Sequence, residues 1–393
     1  MKPLTRIVGV GVVFGMATVG WFVLGESMTH RTSDQSRKLH GDVKSLWGRP
    51  IAQEAPAFTF HYVEDRTEFS HWEGTGPRRR KVFRTREIPH ELLRLPSSTH
   101  LQVHLSLDQR TRGLIWYSLY NVRFGGTWTY THASPQPGEL DIRFKLPHAQ
   151  ALYDDFTFVV DGRDWAGQVV PRNGVIAHAV KVRPGQTVRL RITYASRGLD
   201  TWRYLPGEGV TNLEDFHLAM TTDFPDVDFP SETLSPSAKR RTGDGWALHW
   251  RFKRVITGHG IGMIMPQHIQ PGELAAALSY SAPVSLFFFF TVLLLLGTLR
   301  KIDIHPVNYL LLAAAFFAFH LLFSYLVDHV YVVPAFIIAS VVSIVLVVSY
   351  LRLVVSPRFA FIEAGLAQGV YLIGFSLAHF WEGYTGLTVT VLV

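Results

Sequence analysis

Residues 282–299 read APVSLFFFFTVLLLLGTL, eighteen positions without a charged side chain. At about 1.5 Å of rise per helical residue, a segment this long nearly matches the roughly 30 Å hydrocarbon core of a bilayer. Arg300 and Lys301 follow directly and mark where it stops. Outward from this stretch the pattern recurs at 307–327, 332–351 and 359–380, and once more at 7–25, behind Lys2 and Arg6. From Ser281 onward the basic residues are Arg300, Lys301, Arg352 and Arg358, and the acidic ones Asp303, Asp328, Glu363 and Glu382. Such a composition belongs in lipid.

Residues 7–25 exceed the usual length of a signal-peptide core. The flank Gly25-Glu26-Ser27-Met28-Thr29-His30 also lacks a small-x-small cleavage site, so an uncleaved anchor is expected. The short connections holding Arg300, Lys301, Arg352 and Arg358 carry the positive charge, whereas the opposite loop, Asp328-His329-Val330-Tyr331, has no Lys or Arg. By the positive-inside rule, the N-terminus is expected in the cytoplasm and the central region outside it. Residues 386–393 are too few to span as a helix. Either the chain ends in the outer leaflet or a sixth helix is missing.

The central region follows another period. Leu140, Ile142, Phe144 and Leu146 alternate with charged residues, Val188, Leu190, Ile192 and Tyr194 alternate with polar ones, and so do Trp246, Leu248, Trp250 and Phe252. Period-two alternation predicts strands with one wet face. Turn signals such as Pro184-Gly185 and Gly243-Asp244-Gly245 separate them. The expected fold is therefore a mixed membrane protein: an anchor helix at 1–25, an antiparallel, sandwich-like all-β domain at 26–279, and a helical transmembrane bundle at 280–393. The β-domain is expected either as one sandwich with insertions or as two sub-domains.

Composition narrows the function classes. The net charge of +7 over 393 residues is too small to argue for nucleic acid, and the absence of cysteine excludes disulfides, thiolate metal sites and Cys nucleophiles. Hydrolase, P-loop and zincin motifs are missing, so neither catalysis nor a cofactor is expected. The run Arg78-Arg79-Arg80-Lys81 suits anionic headgroups or phosphorylated envelope polymers. With no aromatic interleaving or glycine-rich cradle beside it, a solvated hairpin is favoured.

Ionisable groups within apolar helices cost about 2.5–3.5 kcal/mol on insertion scales and usually face protein or water. His320, Ser324 and Asp328 share one helix stripe. With His329, His379 and Glu382 at similar depth, they form a candidate polar cluster near the outer leaflet, which either binds a ligand, ion or proton or simply bonds helices together. Asp303, His305, Glu363 and Arg358 lie toward the cytoplasmic side, where Glu363 is expected to pair with Arg358 or His305. Gly365 and Gly369 have the GxxxG spacing of close helix packing, within the bundle or against a second copy.

The segments 303–311 (DIHPVNYLL), 320–329 (HLLFSYLVDH), 338–352 (IASVVSIVLVVSYLR) and 363–387 (EAGLAQGVYLIGFSLAHFWEGYTGL), with SLWGRP at 45–50, resemble the CreD family of bacterial inner-membrane proteins. The resemblance implies a Gram-negative inner-membrane protein linked to a two-component response and to envelope integrity. It supplies no catalytic or binding residues, and it implies a further hydrophobic segment after Leu387. Two functions are expected in turn: a non-enzymatic envelope protein whose outer domain binds a periplasmic protein or polymer, and a transporter using a polar path through His320, Asp328, Glu363 and His379.

Overall fold

The computed structural model describes residues 3–46, 48–73, 80–112, 115–380 and 390. The chain divides into a helical unit (Met1–Asp42, Thr111–Trp116 and His268–Val393) and a β unit (Val43–Arg110 and Tyr117–Gln267).

In the helical unit, α1 spans Pro3–Leu46, α2 Pro271–Leu299, α3 Pro306–Leu326 and α4 Val332–Val354. The last span, Phe359–Phe380, is α5; it mixes α turns with π turns at Phe359–Ala364 and Gly369–Gly374. Among the described residues five helices are long and apolar enough to cross a membrane. The apolar periods thus found the spans but not two of their ends. α1 runs on past Gly25 because residues 26–46 contain no proline and only one glycine. α2 starts at Pro271, before the uncharged stretch, since proline suits the first turn and the following Leu274, Ala275 and Leu278 are buried.

The β unit gathers around one apolar core. The strands in chain order are β1 (Ile51–Glu54), β2 (Ala57–Glu73), β3 (Arg80–Arg94), β4 (Ser98–Leu107), β5 (Arg110–Arg112), β6 (Ile115–Tyr117), β7 (Leu119–Thr131), β8 (Gly138–Lys145) and β9 (Asp154–Val160), of which β5 and β6 fall mainly in the Thr111–Trp116 segment of the helical unit. There follow β10 (Arg163–Asp164), β11 (Val175–Val182), β12 (Thr187–Leu199), β13 (Thr201–Leu205), β14 (Thr211–Thr222), β15 (Ala238–Thr242), β16 (Gly245–Thr257) and β17 (Ile261–Ile264). An eight-stranded sheet in the order β10-β9-β12-β7-β4-β14-β16-β15 is antiparallel except where β4 meets β14. A four-stranded sheet, β11-β8-β2-β3, packs on it: Phe58 stacks on Tyr130 at 6.1 Å and Phe144 meets Trp128 at 6.3 Å. The sandwich arises because the alternating residues Leu140, Ile142, Phe144, Leu190 and Ile192 are all fully buried. A third sheet, β1-β13-β17, completes the unit, while β5 and β6 pair as a separate two-stranded sheet.

Beyond His61, β2 keeps β3 as its neighbour but loses β8, which pairs only with residues 57–61. The β2–β3 pair therefore continues as a two-stranded arm. Isolated hairpins are only marginally stable in water, so this arm is the least self-supporting part of the unit.

Candidate functional site

The polar groups of the helical unit fall into three places. At one end, Arg6 of α1 donates to Asp303 at 3.2 Å, and Arg300 meets Glu363 of α5 at 2.6 Å. At the other end, Arg31 of α1 reaches Asp328 at 2.5 Å and the Ser324 carbonyl at 3.2 Å, with its guanidinium over the Tyr325 ring. Arg6 and Arg31 are separated by the same 25 residues as Asp303 and Asp328. α1 and α3 therefore run parallel over about 38 Å, and the N-terminus shares an end with the α2–α3 connection. Half-exposed pairs of this kind contribute at most about 1 kcal/mol each; their larger effect is on register.

Between the two ends lies His320, only 2% exposed. Its Nδ1 is 3.2 Å from the Phe316 carbonyl, and its ring meets the edges or faces of Trp21 and Phe319 at 5.6 and 4.9 Å. Ser324 is buried beside it on the stripe. Deeper still, the Gln368 amide donates to Ser343, and the Ser343 hydroxyl to the Ala315 carbonyl, both at 2.9 Å. This chain ties α5, α4 and α3 together.

The sequence-predicted cluster is thus only partly assembled. His320 and Ser324 are buried together, and Asp328 is ion-paired with α1. His329 is exposed in the turn, while the half-buried His379 bonds within its own helix, to the Phe375 carbonyl at 3.2 Å. Glu382 lies outside the described residues. On the opposite side the expected partner of Glu363 is corrected: it is Arg300, since His305 caps α3 by accepting from Val307 N–H and Arg358 is exposed at the start of α5. Of the two glycines with the close-packing spacing, a Cβ at Gly365 would lie 3.7 Å from Val348 of α4, an ordinary contact, and the tightest approaches of this unit lie elsewhere. A Cβ at Gly369 would meet nothing within 4 Å, whereas one at Gly9 would lie 2.9 Å from Pro306 and one at Gly25 2.9 Å from Tyr280. Backbone approach belongs to α1.

In the β unit the basic run looks different once folded. Arg78 and Arg79 lie outside the described residues, as does the Arg80 side chain. Lys81 is described, with its Nζ 5.4 Å from the Trp72 ring centre. A bulge between Phe69 and His71 shifts the alternation of β2 by one residue. Phe69 and Trp72, three apart, consequently share a face with Phe83 of β3, at ring distances of 5.9 and 6.2 Å from Phe69. All three are about half exposed, at 50%, 46% and 57%. Aromatic interleaving is therefore present; it comes mainly from the facing strand, which a reading along one strand cannot show.

The eight-stranded sheet also carries a row of histidines on its wet face. His217 lies 6.0 Å from His100 and 5.8 Å from His249, ring to ring. Partial burial, then the neighbouring Arg251, His249 and His100, hold its pKa below the ordinary histidine value. Among the described residues no group of three His, Asp or Glu side chains is placed to hold a metal ion.

With the helical core so described, comparison with known families becomes informative. Residues 270–380 match the family model of the inner membrane protein CreD. The match covers α2 to α5 and takes in the quoted motifs from 303 to 380, so the CreD resemblance holds for that stretch, while SLWGRP at 45–50 lies outside it. Together with the five apolar helices among the described residues, it supports a multi-pass inner-membrane protein. A search of curated proteins returns no match. Among solved structures, a Legionella pneumophila protein described as a nutrient binding protein is similar at 10% identity and a TM-score of 0.31, covering 50% of this chain and 74% of that one.

Proposed function

We propose that this CreD-like protein serves envelope integrity or its stress response without catalysing a reaction, the β unit facing the periplasm and binding a partner or envelope polymer, and the bundle anchoring it. The observation that carries this reading is the exposed aromatic face of the β2–β3 arm. Three half-exposed rings beside a lysine, on a hairpin with no third strand, form a surface that gains stability when covered. The orientation rests on charge: Arg6 shares an end with Arg300 and Lys301, and that basic end belongs in the cytoplasm.

The test uses the absence of cysteine. Ser70→Cys places a single thiol at the bulge between Phe69 and Trp72. In whole cells a membrane-impermeant maleimide should label it, and a photoactivatable maleimide should give a discrete crosslinked species that disappears when Phe69→Ser and Phe83→Ser are added. Labelling only after the inner membrane is broken would overturn the orientation. An unchanged crosslink in the serine variant would overturn the arm as the binding surface.

The alternative is transport of a proton, ion or lipid-like ligand through the bundle. It is disfavoured because His320 is enclosed by aromatic rings and the charges flanking it are paired at the helix ends. His320→Leu is therefore expected to leave assembly and the envelope phenotype unchanged. A folded variant that reproduced the loss-of-function phenotype would restore the transport reading.

A further inference from the structure

We propose that the β unit also contains an anion site, a groove lined by Arg49, Arg123 and Arg197 that takes a phosphoryl-bearing ligand. It deepens the binding role assigned above to the β unit, on which it rests, by naming a ligand chemistry at a place apart from the arm. The groove has a volume of about 810 Å³, within the span of roughly 300–1,000 Å³ typical of small-molecule sites.

Three separate segments deliver the arginines. Arg123 on β7 faces Ala195, and Arg197 on β12 faces Asn121, so the two are diagonal neighbours on the wet face of the sheet. Arg49 arrives from the segment before β1, and Gly48 makes its approach possible. Gly48 has φ +130°, and a Cβ there would lie 2.9 Å from the Arg197 carbonyl oxygen, a conformation and a contact that only glycine accepts. Leu199 N–H then donates to the Arg49 carbonyl at 3.3 Å, tying the segment to β12. His148, another lining residue, is held to the Pro50 carbonyl at 2.8 Å.

Charge balance identifies the ligand. Elsewhere in this unit arginines near a carboxylate pair with it: Arg110 with Asp108 at 2.9 Å, Arg143 with Asp141 at 2.8 Å and Arg254 with Glu214 at 2.9 Å. Among the described residues the side chains of Arg49, Arg123 and Arg197 form no ion pair or hydrogen bond. Asp154 is the single carboxylate in the lining. Three guanidiniums against one carboxylate leave two positive charges, which match a phosphomonoester dianion, and planar guanidinium forks bind phosphoryl oxygens in bidentate fashion. A soluble phosphate monoester and the phosphomonoester headgroup of phosphatidic acid share this chemistry.

The experiment is calorimetric titration of the full chain in phosphatidylcholine nanodiscs, with glycerol 1-phosphate in one arm and monomeric short-chain phosphatidic acid in the other. Saturable binding is expected in at least one arm. Arg123→Gln and Arg197→Gln should each weaken it about tenfold, in line with loss of a charged hydrogen bond, while Arg143→Gln leaves it unchanged. Binding of glycerol 1-phosphate identifies a solute, and binding of the lipid alone a headgroup. No saturable binding in either arm, or equal binding by thermally stable Gln variants, would overturn the site. Such a failure leaves the Ser70→Cys crosslink standing, and loss of that crosslink leaves the calorimetry standing, so the two readings fail separately.

Discussion

Trp21→Ala is expected to loosen α1 from the bundle, at a cost of about 3–5 kcal/mol, the range for removing a buried tryptophan. Trp21 has no exposed surface and lies against Phe316, Phe317 and His320 at ring distances of 6.5, 5.6 and 5.6 Å. It is the largest fully buried side chain that α1 contributes to the helical core. Lipid tails can replace apolar contact at a helix surface but not fill an interior cavity of this shape, so the loss is one of packing. A cysteine pair gives the readout: an ideal Cβ at Gly272 lies 3.1 Å from the Thr32 Cβ, a few tenths of an ångström below the usual disulfide range of about 3.5–4.5 Å. Thr32→Cys with Gly272→Cys should crosslink on oxidation in an otherwise cysteine-free chain. Adding Trp21→Ala should lower that yield and the melting temperature, although hydropathy still inserts the helix. An undiminished yield would show that the terminal pairs Arg6–Asp303 and Arg31–Asp328 suffice to hold α1.

Those pairs also show where sequence reading stopped. Apolar runs and strand alternation are local signals, so the spans and the buried faces of β8, β12 and β16 could be read directly. Arg31 could not, because its role depends on α1 continuing past the apolar run and lying parallel to α3. Glu363 has several basic residues within plausible reach, and only the packing of α5 against the end of α2 selects Arg300. The aromatic face of the arm depends on a single bulge, which changes the parity of β2 and brings Trp72 to the Phe69 side. The arginine groove is less legible still. Arg49, Arg123 and Arg197 are far apart in sequence, and each looks like an ordinary wet-face residue until the register of β7 on β12 and the turn at Gly48 bring them together. Single-residue periodicity says which side is dry, while long-range register decides which wet-side residues meet.

Register in the β unit can be tested most sharply at Gly126 and Trp128. They occupy successive inward positions of β7, Gly126 between Leu101 and Ile192 and Trp128 between Thr99 and Leu190. The indole lies back over the glycine so closely that a Cβ at position 126 would come within 2.1 Å of it, while Nε1–H donates to the Tyr204 hydroxyl at 3.4 Å. Gly126→Ala must therefore displace the ring, and overpacking of that kind costs about 1–3 kcal/mol. Trp128→Ala leaves a cavity next to Phe124 and Phe144 and is expected to cost about 3–5 kcal/mol. In the double variant the new methyl enters space the indole has vacated, so the combined loss should fall short of the sum by about 1 kcal/mol or more. Denaturant unfolding of the full chain in detergent, followed by near-ultraviolet circular dichroism, measures all three variants. Strict additivity would mean that the methyl and the indole do not compete for one volume, and the pairing of β7 with β4 and β12 would then be misplaced.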